Sequence, residues 1–287
     1  MKLFRFQGID IRVDKLFLLM MVFYAFASVL PQAIIIFLVV FIHELAHTIV
    51  ARGHKVNVRE IELFPFGGVA KLDFMDVDSD EEIRIALAGP LANFFMAAIG
   101  LLAQFYIESE YWLPFFIRLN IIMGMFNLIP ILPLDGGRIY RAWYAKSVGV
   151  FAATKKAAYQ GKLLAVFVIL VAVSGLYLRL WDLNAVTMAG FLFYSANEQD
   201  KTASFHFIRY LLKKKEIIAR EKIQQLKPYY VRENTLIGEV LAYLHPNSYN
   251  IFHVFDQSGK QINTVSEEKL IEEYFKNGDK KLMKDIY

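Results

Sequence analysis

Beginning at position 43 the sequence reads His43-Glu44-Leu45-Ala46-His47, inside the apolar run from Ile34 to Val50. In a helix the two imidazoles stand one turn apart on one face, the spacing that aims both at a single metal ion. Glu44 then lies alongside, able to take a proton from water. Short His-Glu-x-x-His patterns also arise by chance, and the three side chains could simply satisfy one another inside a helix bundle. The apolar setting argues against that, because ionisable groups at membrane depth are expensive unless they bind or pair.

A catalytic zinc commonly takes three protein ligands and leaves a position for water. The chain has no cysteine, which removes disulfides, thiol nucleophiles and thiolate metal sites and leaves the third ligand to His, Asp or Glu. Asp135 is the leading candidate. It follows Asn127-Leu-Ile-Pro130-Ile-Leu-Pro133-Leu and precedes Gly136-Gly137-Arg138; prolines at the end of an apolar helix and glycines after it indicate unwound backbone that can carry a carboxylate inward. On spacing alone, a helix-stop turn with its acid bonded locally is the alternative. His54 is the rival ligand, although Arg52, Gly53 and Lys55 around it read as an interfacial turn. His206, His245 and His253 lie in the tail without a carboxylate or second His at matched spacing. Asn127 either offers a donor to charge developing on a substrate carbonyl or ties down the backbone before Pro130.

The elements that must position these groups are membrane helices. Of 287 residues, 56% are hydrophobic, and 32 Lys plus Arg against 28 Asp plus Glu give a net charge of only +4. The charged residues crowd into 200–287, so the chain reads as a membrane body with a soluble tail; nothing in its charge points to nucleic acid. Apolar runs at 16–30, 32–51, 83–106, 111–134, 163–180 and 183–196 predict a mainly α, polytopic fold with about six crossings. Asn93, Asn120, Asn127, Pro130 and Pro133 within them must face protein or water. An amino terminus in the cytosol keeps Lys2, Arg5, Arg12, Lys15, Arg52, Lys55, Arg59, Arg138, Arg141, Lys146, Lys155 and Lys156 inside, as the positive-inside rule requires, and puts both termini on the cytosolic side.

Phe4 to Val13 alternates partly at period two and suggests a short strand or surface stretch. Ile61 to Leu72, broken by Pro65 and Gly67-Gly68, reads as a bent β-hairpin at the membrane surface. The acidic residues Asp73, Asp76, Asp78, Asp80, Glu81 and Glu82 lack the ordered pattern of a calcium loop and read as a solvated turn. Gly89, Pro90 and Asn93 are expected to let the third helix bend and pack near the histidines, with no catalytic role for Asn93. The expected organisation is a membrane domain over 1–200, a helical linker over 201–227 and a small α/β domain over 228–287. That last domain reads as helix 236–244, strand 251–256, a Ser258-Gly259 turn, strand 262–265 and helix 267–275. Some 60 residues make a small core, so docking or oligomerisation is expected.

These motifs, in this order, resemble the site-2-type intramembrane zinc metalloproteases, and within them the stage IV sporulation protease subgroup. The resemblance rests on His43-Glu44-x-x-His47, Phe64-Pro65-Phe66-Gly67-Gly68, Ala88-Gly89-Pro90-Leu91-Ala92-Asn93 and Asn127-x-x-Pro130-x-x-Pro133-Leu134-Asp135-Gly136-Gly137. It implies one zinc per chain held by His43, His47 and Asp135, with Glu44 as the catalytic base. It further implies a tail like a single cystathionine-beta-synthase-type motif with ATP as a regulatory ligand, a homo-oligomer formed through tail pairing, and inhibitory membrane partners. The substrate would be a membrane-associated sigma factor precursor, cleaved at the mother-cell membrane around the forespore. Val13-Asp14-Lys15-Leu16 departs from the His-Pro pair that often precedes the first membrane helix of the family.

A transmembrane helix hides its amides, so a protease needs its substrate extended. The edge of the 61–69 region could take such a segment by strand addition, or could merely brace the helices. Three other functions fit the same sequence: a protease for transmembrane anti-sigma factors, a non-enzymatic scaffold recruiting partners through its tail, and a zinc transporter with a transient site.

Overall fold

The computed structural model describes residues 2–6, 9–56, 58–64, 67–72, 77–180, 182–220, 223–244 and 248–286, with side chains described for all of these except 2–11, 58–72, 184, 199–206, 213 and 217. Two compact units divide the chain, Met1–Ile139 and Tyr140–Tyr287.

The first unit opens with strands β1 (Lys2–Phe6) and β2 (Ile9–Val13) and helix α1 (Lys15–Phe26), which starts where Asp14 accepts a hydrogen bond from the Leu16 amide at 2.7 Å. Helix α2 (Leu30–Gly53) has proline in its first turn and is followed by strands β3 (Val58–Phe64) and β4 (Gly67–Leu72). The hairpin expected near residues 61–72 is therefore present, but it does not stand alone. β2 pairs parallel to β3, and the four strands form one sheet in the order β1-β2-β3-β4. Antiparallel hairpins are local in sequence, whereas the β2–β3 pairing spans the whole of α1 and α2, which is why periodicity alone misses it.

Helix α3 (Ser79–Ala103) begins at a capping box in which Glu81 Oε2 accepts from the Asp78 amide at 3.3 Å. The described part of the acidic run thus complements the start of a helix. Helix α4 (Trp112–Asn127) ends where residues 128–134 turn irregularly into helix α5 (Asp135–Val148).

In the second unit, helices α6 (Val150–Tyr177) and α7 (Leu183–Arg220) pack along one another. The buried face of α6 is a stripe of Ala153, Ala157, Gly161, Ala165 and Ala172, and α7 buries Ala189 and Ala196. Small residues let backbones approach closely where lipid removes the hydrophobic drive for association. Leu163, Phe167 and Leu170 on the outer face of α6 stay exposed, an arrangement suited to lipid.

The tail contains β5 (Gln225–Arg232), α8 (Ile237–Leu241), β6 (Ser248–Phe255), β7 (Gln261–Ser266) and α9 (Glu267–Asn277). β6 is central in a three-stranded sheet, parallel to β5 and antiparallel to β7. The expected strands and helices appear, together with β5, which the sequence pattern does not predict. The core of this region combines Ile237, Leu241, Phe252, Val254, Leu270 and Ile271 with Phe207 and Leu211 of α7. The linker expected at 201–227 thus begins within a continuous helix that supplies part of the tail's own core, and docking relieves the shortage of apolar surface in so short a segment.

Among the described residues, three helices are long and apolar enough to cross a membrane: α2, α3 and α6. α1 and α4 have 12 and 16 residues, or about 18 and 24 Å at a rise of 1.5 Å per residue. The first falls well short of the roughly 30 Å of a hydrocarbon core.

Candidate metal centre

His43 and His47 lie on the buried face of α2, at 2% and 3% exposure. His43 is roughly 20 Å along the helix from its start, deep within a membrane-length segment. Asp135, at the first position of α5, is brought to them by the turn after α4. Ile131 and Leu132 of that turn are buried. A Cβ on Gly136 would overlap the Leu128 carbonyl, and one on Gly137 would overlap the Ile131 backbone. The two glycines therefore let α5 start directly on the folded-back loop, which aims the Asp135 carboxylate at α2.

The ligand atoms form a nearly equilateral triangle. His47 Nε2 is 3.1 Å from His43 Nε2 and 3.1 Å from Asp135 Oδ2, and His43 Nε2 is 3.2 Å from the same oxygen. Three ligands about 2.0–2.1 Å from a tetrahedral ion are separated by about 3.3 Å, so one face of a zinc coordination sphere fits here. The outer ring nitrogens strengthen the fit. His47 Nδ1 is 2.7 Å from the Ile85 carbonyl, and His43 Nδ1 faces Asn93 Oδ1. With each outer nitrogen donating to its oxygen, a neutral ring presents its Nε2 lone pair inward. Three acceptors then point at one spot. A proton there would bridge a single edge and shorten it, whereas three similar edges suit a central cation. Among the described residues this is the one group of three or more His, Asp or Glu with such geometry.

Helix α3 explains the packing. A Cβ on Gly89 would overlap His47 Nε2 and His43 Cε1, so this position must be glycine for the rings to sit against α3. Pro90 lies inside the helix and withholds the amide that would bond the Ala86 carbonyl, loosening the ladder beside Ile85. Asn93 takes the outer nitrogen of His43 and is wholly buried. The sequence gives this residue no role beyond packing; its one signal is an amide in an apolar run that has to face protein.

Glu44 is half-buried, next to His43 in the chain and within electrostatic reach of His43, His47, Asp135 and Arg138. Asn127, at the last position of α4, donates from Nδ2 to the Met123 carbonyl at 3.1 Å. The rival His54 is outside the cluster, at the carboxyl end of α2 with Nδ1 3.4 Å from Glu81 Oε1. His253 is on β6, with Nδ1 3.2 Å from Thr264 Oγ1. Pro65, Phe66, Asp73, Asp76 and His245 lie outside the described residues, as does the side chain of His206.

The family model described as Peptidase family M50 matches residues 31–109 and 105–173. Over 275 residues the chain is 30% identical to the zinc metalloprotease MJ0392 of Methanocaldococcus jannaschii, covering 92% of this chain and 77% of that protein. Over 240 residues it is 25% identical to stage IV sporulation protein FB of Bacillus subtilis, covering 83% of this chain and 82% of that one. Among solved structures it resembles the site-2 protease from Methanocaldococcus jannaschii, with a TM-score of 0.55, 32% identity and coverage of 70% of this chain and 94% of that one.

Proposed function

Because this chain belongs to peptidase family M50 and is a membrane zinc metalloendopeptidase of the site-2 type, we propose that His43, His47 and Asp135 hold the zinc and that Glu44 is the catalytic base. The single observation carrying this assignment is the triangle of three inward-facing acceptors, 3.1 to 3.2 Å on a side, built from α2 and the start of α5. A bound zinc supplies polarisation of the scissile carbonyl and acidification of the attacking water. Glu44 takes the proton of that water and passes it to the amine that leaves. Asn127 has given one amide hydrogen to Met123 and offers its second to the substrate carbonyl. The buried setting excludes bulk water, which strengthens each of these interactions.

The substrate is a membrane-associated protein whose cleaved segment is extended. β4 is an edge of the four-stranded sheet and packs near α2, which supports strand addition there as the mode of presentation. A finer reading makes that substrate a sporulation sigma factor precursor, cleaved at the mother-cell membrane under the control of inhibitory membrane partners. Its support is the likeness to the sporulation protein. The archaeal relative matches more of the chain at higher identity, so the sporulation subgroup is one branch the sequence could represent. In the same reading α2, α3, α4, α6 and α7, with the short α1 crossing only where the bilayer thins around it, make six crossings with both termini cytosolic, the membrane domain runs over 1–200, and residues 228–287 form the regulatory tail with ATP as its ligand.

The test uses the full chain purified in detergent. Near one zinc per chain, lost in His43→Ala and in Asp135→Ala, is expected. Glu44→Gln should keep the metal while cleavage of co-produced membrane-anchored precursors falls by about 10²–10⁴-fold. Cleavage by Glu44→Gln at the wild-type rate would remove Glu44 as the base, and a folded, metal-free wild type would remove the zinc assignment.

A further inference from the structure

The two histidines are held by different means. His47 Nδ1 meets a backbone carbonyl, that of Ile85, which can only accept, so its ring has no choice of tautomer. His43 Nδ1 meets a side-chain amide, and an amide can present either oxygen or NH2. If Asn93 were reversed, its NH2 would face Nδ1, the ring proton would move to Nε2, and the lone pair aimed at the metal would be lost. Something must fix the direction of Asn93.

That something lies on α4. Asn93 Nδ2 donates to Asn120 Oδ1 at 3.0 Å, and Asn120 Nδ2 donates to the Phe116 carbonyl at 2.9 Å. Both asparagines are completely buried, so neither can turn to water for a replacement partner. The far end of the series is a carbonyl, which has lone pairs and no hydrogen. Asn120 must therefore turn its NH2 toward Phe116 and its oxygen toward Asn93. Asn93 must turn its NH2 toward Asn120 and its oxygen toward His43, and His43 must carry its proton on Nδ1. Each bond leaves the next only one orientation in which donors meet acceptors.

We propose that Asn93 and Asn120 form a polarity relay, anchored at the Phe116 carbonyl, that holds His43 in the tautomer whose Nε2 lone pair faces the metal. The relay crosses from α4 through α3 to α2. Both asparagines are positioning residues, acting on the ion only through His43. This inference rests on the assignment of His43, His47 and Asp135 as zinc ligands.

The relay makes a prediction that simple packing does not. A carboxylate at position 93 has an oxygen to offer in either orientation, so its direction needs no anchor. Zinc affinity of the full-length protein in detergent is measured by competition with a chromophoric chelator, and the cobalt-substituted protein reports ligand geometry through its visible spectrum. Asn93→Leu should weaken zinc by about 10–100-fold, the usual cost of losing the partner of a metal-bound histidine. Asn120→Leu, two hydrogen bonds away from the ligand atom, should weaken it by about tenfold. In an Asn93→Asp background the same Asn120→Leu change should cost nothing beyond about twofold, and the cobalt spectrum should be unchanged by it. Damage to folding or packing from leucine at 120 would instead appear in both backgrounds. The relay is overturned if Asn120→Leu binds zinc as the wild type does, or if it loses the same factor in both backgrounds. A wild-type protein that binds no zinc would overturn the ligand assignment itself, and the relay with it.

Discussion

In the tail, Lys214 is 1% exposed, with Nζ 2.6 Å from the Ser248 carbonyl and 3.6 Å from the Glu267 carboxylate. Glu267, itself wholly buried, accepts from the Asn250 amide at 2.9 Å and from the Asn250 side chain. In the helical unit, His43, His47 and Asp135 are about as deeply buried, yet the atoms they bring together are three acceptors. The tail cluster contains its own cation, Lys214, set against the Glu267 carboxylate. The helical cluster has its outer donors spent on Ile85 and Asn93 and turns its lone pairs toward one another. Burial of polar groups therefore does not mark a functional site by itself. What distinguishes the two clusters is the balance of donors and acceptors at the point where they converge.

The comparison can be broken by removing one member from each cluster. Asp135→Ala should abolish zinc binding and cleavage while leaving hydrogen-exchange protection of β6 and β7 intact. Lys214→Ala should do the reverse to the tail. Leaving Glu267 buried without its cation costs about 3–5 kcal/mol, read as lost exchange protection in β6 and β7. Replacing both partners, Lys214→Met with Glu267→Gln, should recover most of that loss, because the new side-chain amide oxygen would still accept from Asn250 while no lone charge stays inside. If Lys214→Ala left tail protection unchanged, the view of Lys214 and Glu267 as a structural ion pair would fail.

A second comparison sets two helix glycines against each other. Gly89→Ala pushes a methyl into both imidazoles and should remove most bound zinc, whereas Gly190→Ala on α7 meets nothing within 4 Å. The latter should leave zinc content unchanged and gain up to about 1 kcal/mol in helix stability. Zinc analysis of the two purified proteins checks both.

The smallest effect concerns pH. Burial pushes the Glu267 carboxyl above its ordinary value, opposed by Asn250 and Lys214, which favour the charged form. Between the ordinary and the raised value, the folded tail holds a proton that the unfolded chain has released. This contribution to stability is fully present below the ordinary value of about 4.3 and is lost as pH rises through the higher folded value. Thermal unfolding of the tail across that window should lose this slope in Glu267→Gln; an identical slope in the variant would refute the assignment to Glu267.

The parts of the site visible in the sequence are those governed by local spacing. The one-turn interval of His43 and His47 and the proline-glycine context of Asp135 point to the three side chains that converge, and alternation locates most of the tail. Invisible are the relations that join distant segments. Nothing near Asn93 in sequence reveals Asn120 or Phe116, because their bond crosses between helices. Likewise, β2 cannot announce its parallel partner β3 across two helices. His54 is excluded by the turn at the end of α2, which hands it to Glu81. The apolar face at 207 and 211 reads as a linker because its covering residues are distant in sequence: Phe151 of α6 stacks on Phe207, and most of the rest come after residue 228.

That shared core affects any attempt to study the protease without its tail. Ending the chain near residue 227 would strip most of the cover from Phe207 and Leu211, with Phe151 still stacked on Phe207, and leave a greasy ridge on the last helical turns. A shortened protein cut there would be prone to clumping, and a loss of activity could be mistaken for a lost regulatory signal. Cutting ahead of Phe207, or exchanging both residues for polar ones in the shortened chain, separates stickiness from control.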